Sequence, residues 1–515
     1  MRYEEIPEAF NLAAHFVDRH VAEGRGDRTA LIAEDGRCTY AELAARVDRI
    51  GNVLRDAGVR REERVLLALC DSVDFVATWY AVQKIGAVTA EVYTFLPAKD
   101  YAYYLDYTRA GVVVADATTL ERVREAAPSS PWLRRVLVSG VPAAGLRDGE
   151  ASLDALAAAA PDALEPARTG RDEIALWKFT TGSTGAPKAC VHPAAAPLLS
   201  CSAYAEGVLG IGADDVVLAV PKLFFGYARD LVALYPFGAG GAGIVFPQRT
   251  TADGIFELIA RHRPTILVNV PTMMRAMIEH PDAAAQDLSC LRLCTSAGEA
   301  LPAELHDRWI DTFGVEVLDG IGSSEAYHIY ISNRPGRARP GTVGEVVPGY
   351  RARIVDETGA ELPDGEPGRL WVEGDTAALM YWNARPKSLE TYAGRLVKTG
   401  DLFERSADGF FTYRGRADDL LKVGGIWVAP TEVEHCLLDH PEVRECAVVG
   451  YRDDGLEKLR AFVVAAPGAT VDGAALREHV KGALSPHKAP RDVRFLSELP
   501  KTGSGKVDRR ALRLR

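Results

Sequence analysis

The chain lacks most of what would tie it to a membrane, to an oxidising compartment or to nucleic acid. No run of about eighteen apolar residues occurs, so no membrane-spanning helix is expected. The opening Met1-Arg2-Tyr3-Glu4-Glu5 is acidic and has no apolar signal core, which predicts a cytoplasmic protein. The eight cysteines are scattered without a C-x-x-C pair, and Cys290 and Cys294 flank a predicted strand without zinc-ligand spacing. Reduced thiols, buried as small hydrophobes, are expected. Positive charge is in deficit, with 60 Lys+Arg against 71 Asp+Glu and a formal net charge of -11. No long block of like charge appears, which argues against a nucleic-acid binder. There is no internal repeat and no low-complexity segment.

What the sequence does have is length and alternation. A chain of 515 residues, 47% apolar and 25% charged, has ordinary globular composition and is too long for one small core. Thr39-Tyr40-Ala41-Glu42 is a capping box, and Leu43, Val47, Ile50 and Leu54 recur at helical spacing until Gly58. Apolar runs predict strands at Val65–Cys70, Val88–Tyr93 and Gly111–Ala115, with a helix at Phe75–Ile85. The Ala-, Asp- and Pro-rich segment 144–171 reads as a surface helix and connector. Strands resume at Val216–Val220, Gly243–Phe246, Thr265–Val270, Leu291–Cys294 and Val315–Leu318, separated by helices such as Gly254–His262. Apolar strands alternating with helices imply parallel sheet covered on both faces. From Gly341 short strands with turn signals, Arg351–Val355 and Arg369–Glu373, predict a β-rich subdomain. Beyond Arg416-Ala417-Asp418-Asp419 a tail of roughly a hundred residues is domain-sized. Within it Ala447–Tyr451 and Ala461–Ala465 read as strands and Leu476–Leu484 as a helix. The expected fold is α/β. A large N-terminal domain (1–416) of α/β layers plus a β-rich subdomain precedes a small α+β C-terminal domain (417–515).

The most informative stretch is Trp177-Lys178-Phe179-Thr180-Thr181-Gly182-Ser183-Thr184-Gly185-Ala186-Pro187-Lys188. It packs hydroxyls, glycines and a lysine into one short loop, the composition that wraps N–H groups and a cation around phosphate oxygens. The spacing fails the Walker rule, because Ala186-Pro187 precede Lys188 and Ala189 follows it. The same composition also builds an ordinary Ser/Thr/Gly surface turn.

Further along, in order, come Ser296-Ala297-Gly298-Glu299, Asp319-Gly320-Ile321-Gly322-Ser323-Ser324-Glu325, Lys398-Thr399-Gly400-Asp401, Gly415-Arg416-Ala417-Asp418-Asp419 and Pro500-Lys501-Thr502-Gly503-Ser504-Gly505-Lys506. With the hydroxyl-rich loop, these resemble the ordered motifs of the adenylate-forming superfamily of acyl- and aryl-CoA synthetases, adenylation domains and luciferases. The resemblance spans nearly the whole chain. It implies that a carboxylic acid attacks the α-phosphate of ATP and that the acyl adenylate is then passed to a thiol. ATP, Mg²⁺ and coenzyme A are the implied cofactors and substrates. An acidic protein handling such anions must concentrate its positive charge locally, so a basic mouth on an acidic body is expected.

The resemblance assigns Thr180, Thr181, Gly182, Ser183, Thr184, Gly185 and Lys188 to the phosphates. Gly298, Glu299, Asp319, Gly320 and Ile321 fall to the adenine side, Ser324 and Arg416 to the nucleotide, and Asp401 to the ribose hydroxyls. Glu325 matches the magnesium-side glutamate; taken alone it is equally an acid in a helix's first turn. Thr-Gly-Asp at 399–401 alone is a common turn. Lys506 matches the lysine that bridges carboxylate and α-phosphate, a point charge on a flexible stem that a mobile tail can deliver and withdraw. Asp418 matches the hinge of a rotating C-terminal domain. The loop with Lys422, Gly424 and Gly425 would then turn inward for thioesterification, although these residues also fit a plain β-turn.

Pro221-Lys222-Leu223-Phe224-Phe225-Gly226-Tyr227, Gly322-Ser323-Ser324-Glu325-Ala326-Tyr327-His328-Ile329, Asn333-Arg334-Pro335-Gly336 and Phe16-Val17-Asp18-Arg19-His20 resemble the benzoate-type aryl-CoA ligases. That likeness implies a flat ring enclosed by Phe225, Gly226, Tyr227, Ala297, Gly322, His328 and Ile329. His328 would bond a ring substituent or be a hydrogen-bonded core histidine. Three departures stand out. Ala228-Arg229-Asp230 is more polar than the usual continuation, as a substrate with an amino or hydroxyl group would require; Ala189 replaces a glycine; and Ala90-Glu91-Val92-Tyr93-Thr94-Phe95 lacks the usual asparagine. The expected partners are thus an aromatic acid, ATP and CoA, with no membrane and no nucleic acid. Transfer to a carrier protein, or activation of nitrous acid for arylamine diazotisation, shares the same motifs. A non-catalytic nucleotide or aryl-acid sensor would have no use for Glu325, Asp401 and Lys506 together.

Overall fold

The computed structural model of the chain describes residues 1–180, 186–417, 421–423, 426–453, 456–501 and 507–515. Thr181, Gly182, Ser183, Thr184, Gly185, Asp418, Gly424, Gly425, Lys506 and the side chain of Lys422 lie outside the described set.

The helix Tyr40–Asp56 starts on the expected box: Thr39 Oγ1 accepts from Glu42 N, and Thr39 N donates to the Glu42 carboxylate at 2.8 Å. Its apolar stripe, Leu43, Val47, Ile50 and Leu54, is wholly buried. The apolar runs become two mixed sheets. In one, Arg64–Ala68, Val88–Glu91, Val112–Asp116, Arg135–Ser139, Glu150–Ser152 and Ile174–Thr180 run parallel, and Lys188–Pro193 with Met380–Tyr381 add an antiparallel edge. In the other, Thr29–Ala33, Val216–Ala219, Ala242–Ile244, Ile266–Asn269, Leu293–Ser296 and Val317–Gly322 run parallel between antiparallel edges at Gly36–Thr39, Ile329–Ser332 and Glu345–Val346. One core cluster takes side chains from both sheets, among them Val65, Leu67, Val112, Val217 and Ile266. Strands buried on both faces account for the uninterrupted apolar runs.

Two readings need correcting. The strand expected to reach Tyr93 ends at Glu91, whose carboxylate is claimed by a buried network described below. The connector 144–171 contributes an edge strand, Glu150–Ser152, too short and polar to register in the sequence pattern.

The β-rich subdomain is antiparallel: Arg351–Val355, Gly368–Glu373, Leu396–Arg405, Tyr392–Ala393 and Phe411–Arg416. In the tail, Val443–Asp453 and Leu456–Ala465 pair antiparallel, with Asp492–Phe495 parallel beside them. Helices Pro430–Leu438 and Gly473–Ala483 cover one face of that sheet through Val433, Leu437, Leu476 and Val480. Ala447, Val449, Phe462 and Val464, alternating to the other face, pack on Leu499 and Leu512. Arg509 forks onto Glu434 at 2.5 and 2.7 Å, and Glu434 also accepts from Val448 N at 2.6 Å. Between the sheet and the tail, Thr431 Oγ1 donates to Arg414 O at 3.3 Å, and a Cβ on Gly415 would lie 2.8 Å from that hydroxyl.

Among the described residues no disulfide forms and five of the eight cysteines are buried. No helix among them is long and apolar enough to cross a membrane.

Candidate active site

Strands Ile174–Thr180 and Lys188–Pro193 form a hairpin whose register pairs Thr180 with Lys188, so both flanks of the hydroxyl-rich loop leave the sheet at one edge. The Ser323–Tyr327 turn docks on this hairpin. Ser324 Oγ donates to Phe179 O at 3.4 Å, and Ser324 O accepts from His192 Nε2 at 2.7 Å. Glu325 O accepts from Ala378 N at 2.8 Å. Because a carbonyl only accepts, His192 must carry its proton on Nε2. Burial, reinforced by the Lys178 charge, pulls that imidazole down to about 3, so it is neutral. Tyr381 Oη donates to Glu325 Oε1 at 2.6 Å, and Lys188 Nζ lies 5.8 Å from the Tyr381 ring centroid. Thr180, Lys188, Ser324 and Glu325 are thus gathered at one end of the site. Ala189, which departs from the family's glycine, is fully buried and pairs with Phe179.

Asp401, expected at the ribose, pairs with Arg416. Asp401 and Arg416 face each other across two strands, with Arg416 NH1 2.9 Å from Asp401 Oδ1 and 3.3 Å from Thr399 O. Gly400, at φ +76°, lets the strand turn where a Cβ would meet the guanidinium at 3.2 Å. Tyr330 is fully buried. After burial itself, the carboxylates of Asp401 and then Glu325 are what push its hydroxyl well above the usual tyrosine range.

Gly298 takes φ +88°, and a Cβ there would be 4.0 Å from Phe225. Asp319 is buried, its Oδ1 has no hydrogen-bond partner, and Ser296 Oγ is equally unpartnered. Burial raises the Asp319 carboxyl well above its ordinary value. Half-buried Ile321 pairs with Ile331. Gly320 and Gly322 run so close to the neighbouring strand that a Cβ would meet Ile331 O at 2.9 Å or His328 O at 2.4 Å. The Glu299 carboxylate accepts from Thr272 N at 3.1 Å and Thr272 Oγ1 at 2.7 Å, at the start of helix Pro271–Ile278.

The expected ring walls come together. Phe225 and Tyr227 have ring centroids 6.2 Å apart, and Tyr227 Oη bonds Thr295 Oγ1 at 2.7 Å. Tyr204, Tyr227 and Tyr235 surround His328 at 5.6, 5.7 and 5.0 Å. His328 Nε2 meets Tyr227 O at 3.3 Å, which leaves Nδ1 as a buried lone pair with no partner. Burial pulls His328 to about 3. Ala297 and Ile329 are buried nearby in sequence.

Arg229 and Asp230 do not present their charge to an incoming acid. Arg229 NH1 is 2.8 Å from Glu91 Oε1, Arg229 NH2 is 2.7 Å from Asp230 Oδ1, and Lys178 Nζ is 2.6 Å from Asp230 Oδ2. Their polarity is matched internally, which corrects the reading of this departure as substrate contact. Lys178, His192 and Tyr381 escaped the sequence reading altogether. Lys178 alone carried a signal, a charge in an otherwise apolar strand.

A hairpin that flanks the hydroxyl-rich loop, a carboxylate docked on it and a carboxylate–arginine pair are features a nucleotide-handling enzyme would use. Residues 18–382 match the AMP-binding enzyme family and residues 432–506 its C-terminal domain, and the chain belongs to that family. It is 40% identical over 515 residues to a benzoate–CoA ligase of Thauera aromatica, covering 99% of this chain and 97% of that one. It is also 40% identical over 511 residues to a 4-hydroxybenzoate–CoA/benzoate–CoA ligase of Rhodopseudomonas palustris, covering 98% and 94%. The crystal structure of the anthranilate CoA ligase AuaEII with anthranoyl-AMP superposes with a TM-score of 0.95 at 36% identity, over 100% of this chain and 98% of that one.

Proposed function

We propose that the protein uses ATP to convert an aromatic carboxylic acid into an aryl adenylate and then transfers the aryl group to coenzyme A. The observation that carries this reading is the docking of the Ser324-Glu325 turn on the Thr180/Lys188 hairpin, in a chain that aligns over nearly its whole length with aryl-CoA ligases.

Lys188 and the loop before it would neutralise the triphosphate while the acid's carboxylate attacks the α-phosphorus and pyrophosphate departs. Tyr381 takes one oxygen of Glu325, and among the described residues the other has no hydrogen-bond partner. No described cluster supplies three metal ligands. One carboxylate completed by phosphate oxygens is the donor set that Mg²⁺ takes, and Glu325 would hold it. Bound there, Mg²⁺ supplies charge neutralisation on the phosphates. Asp401 would accept the ribose hydroxyls, and unpartnered Asp319 Oδ1 and Ser296 Oγ suit the polar edge of adenine. The Nδ1 lone pair of His328 suits a hydroxyl or amino group on the ring. Residues 417–515 would form a lid that pivots at Asp418, delivers Lys506 for adenylation and brings the Lys422–Gly425 loop inward for attack by the thiol.

ATP–pyrophosphate exchange across substituted benzoates, repeated with Lys506→Ala, tests this. Exchange should depend on the ring acid and collapse in the variant; exchange indifferent to either would sink it. Product analysis with CoA against a phosphopantetheinyl carrier identifies the acceptor.

A further inference from the structure

Two of the family departures, at Glu91 and at Arg229-Asp230, meet in one closed network. Lys178, Asp230, Arg229 and Glu91 have side chains no more than 5% exposed. Trp79 Nε1 donates to Glu91 as well. Two cations and two anions offset one another, yet well-packed apolar side chains of similar volume would hold the core as well or better. What the network adds is position.

Lys178 makes that addition concrete. Besides Asp230, its Nζ donates to Tyr327 O at 2.6 Å and lies 3.5 Å from the Tyr327 ring centroid. Tyr327 sits at φ +74°, a left-handed conformation that costs a bulky residue about 1–3 kcal/mol unless its surroundings enforce it. On the other side the lysine stem fills the space beside Gly226, where a Cβ would come within 2.8 Å of Lys178 Cε. Gly226-Tyr227 and His328-Ile329 are the two ring walls in the function proposed above, and the ammonium is wedged between them.

We propose that Lys178, clasped by Asp230, is a specificity-determining positioning residue: it sets the spacing between the Gly226–Tyr227 wall and the Tyr327–His328 wall, and so decides which substituted aromatic acids fit. The assignment of those walls rests on the proposed function; the lysine's contacts do not. In Lys178→Met, Arg229 still pairs with both Asp230 and Glu91 but one negative charge is left in excess, which Lys178→Met/Asp230→Asn removes.

The test is acid-dependent ATP–pyrophosphate exchange with unsubstituted, hydroxy-, amino- and methylbenzoates, in wild type, Lys178→Met and Lys178→Met/Asp230→Asn. The double variant keeps the question answerable if the single one does not fold. In either variant KM for the preferred acid should rise on the order of tenfold or more, as loss of a charged hydrogen bond implies, and the rank order of acids should change. KM for ATP should stay within about twofold, well short of the tenfold that 1.4 kcal/mol represents. An unchanged rank order and acid KM in a folded variant overturns the inference alone, as does an equal rise in both KM values, which marks a general structural role. Wild-type protein without aromatic-acid-dependent exchange overturns the proposed function and this inference with it.

Discussion

Gly322→Ala puts a single methyl group into the tightest junction of the site. The added Cβ would stand 2.4 Å from His328 O, 2.6 Å from His328 C and 2.8 Å from Ile329 N, all backbone atoms of the paired strand. Ordinary contact begins near 3.4 Å, so the two strands must part by about 1 Å, with no flexible side chain to yield. Overpacking of this kind costs about 1–3 kcal/mol, and the 3.3 Å bond from Ser323 N to His328 O is strained at the same time. The catalytic loss should be larger than the stability loss suggests. Parting the strands moves Ser324 and Glu325 on one side and His328 on the other, and a misplacement of about 1 Å costs on the order of a hundredfold in rate. Urea unfolding and ATP–pyrophosphate exchange on the same preparation separate the two effects. Gly482→Ala is the control: nothing lies within 4 Å of a Cβ there, so it should leave exchange unchanged, while alanine's better helix propensity adds up to about 1 kcal/mol of stability. Full exchange activity in Gly322→Ala, or a loss no greater than its unfolded fraction, would refute the reasoning.

The other expectations are as follows. His192 and His328 are each held near pKa 3 against an ordinary 6.5, so the unfolded chain takes up protons that the folded one refuses. Their contribution is complete above pH 6.5 and is lost as pH falls toward 3, at about 1.4 kcal/mol per pH unit for each histidine. Urea midpoints from pH 7 to 5 should show this slope, and His192→Gln should remove its share; a flat profile contradicts the assignment. Asp401→Asn should raise KM for ATP on the order of ten- to a hundredfold, the loss of about 1.5–3 kcal/mol of charged hydrogen bonding; an unchanged KM moves the ribose elsewhere. Arg509→Met strips the buried Glu434 carboxylate of its cation, leaving it the Val448 N–H, and should destabilise the tail by about 3 kcal/mol, read as proteolysis near residue 434; resistance equal to wild type would count the pair as unimportant.

Much of this was legible because its signals are local. The capping box at Thr39, the apolar stripe at Leu43 to Leu54 and the strand Arg351–Val355 each follow from a repeat within a few residues, and each is found as read. The strand Glu150–Ser152 was not legible, because a short edge strand needs only backbone pairing and leaves little hydrophobic trace. The gathering of Thr180, Lys188, Ser324 and Glu325 was anticipated only through motif order, since nothing local ties residue 180 to residue 325. Lys178, Glu91, Arg229 and Asp230 show the limit most clearly. Lys178 and Glu91 stand as lone charges in apolar strand segments and Arg229-Asp230 as a polar step in a helix, and only tertiary packing, across separations of 52 and 138 residues, joins them in a buried network.

The strand Phe411–Arg416 serves two masters. Along it, Arg416 reaches Asp401 at the nucleotide end, while Arg414 and Gly415 receive Thr431 from the tail. In the proposed function, a tail that pivots would have to release that threonine and tug on the strand that carries Arg416. Nucleotide occupancy and tail orientation would then share one free energy, and the coupling would run both ways: nucleotide would bias the tail, and a tail fixed by a cross-link would shift nucleotide affinity by the same factor.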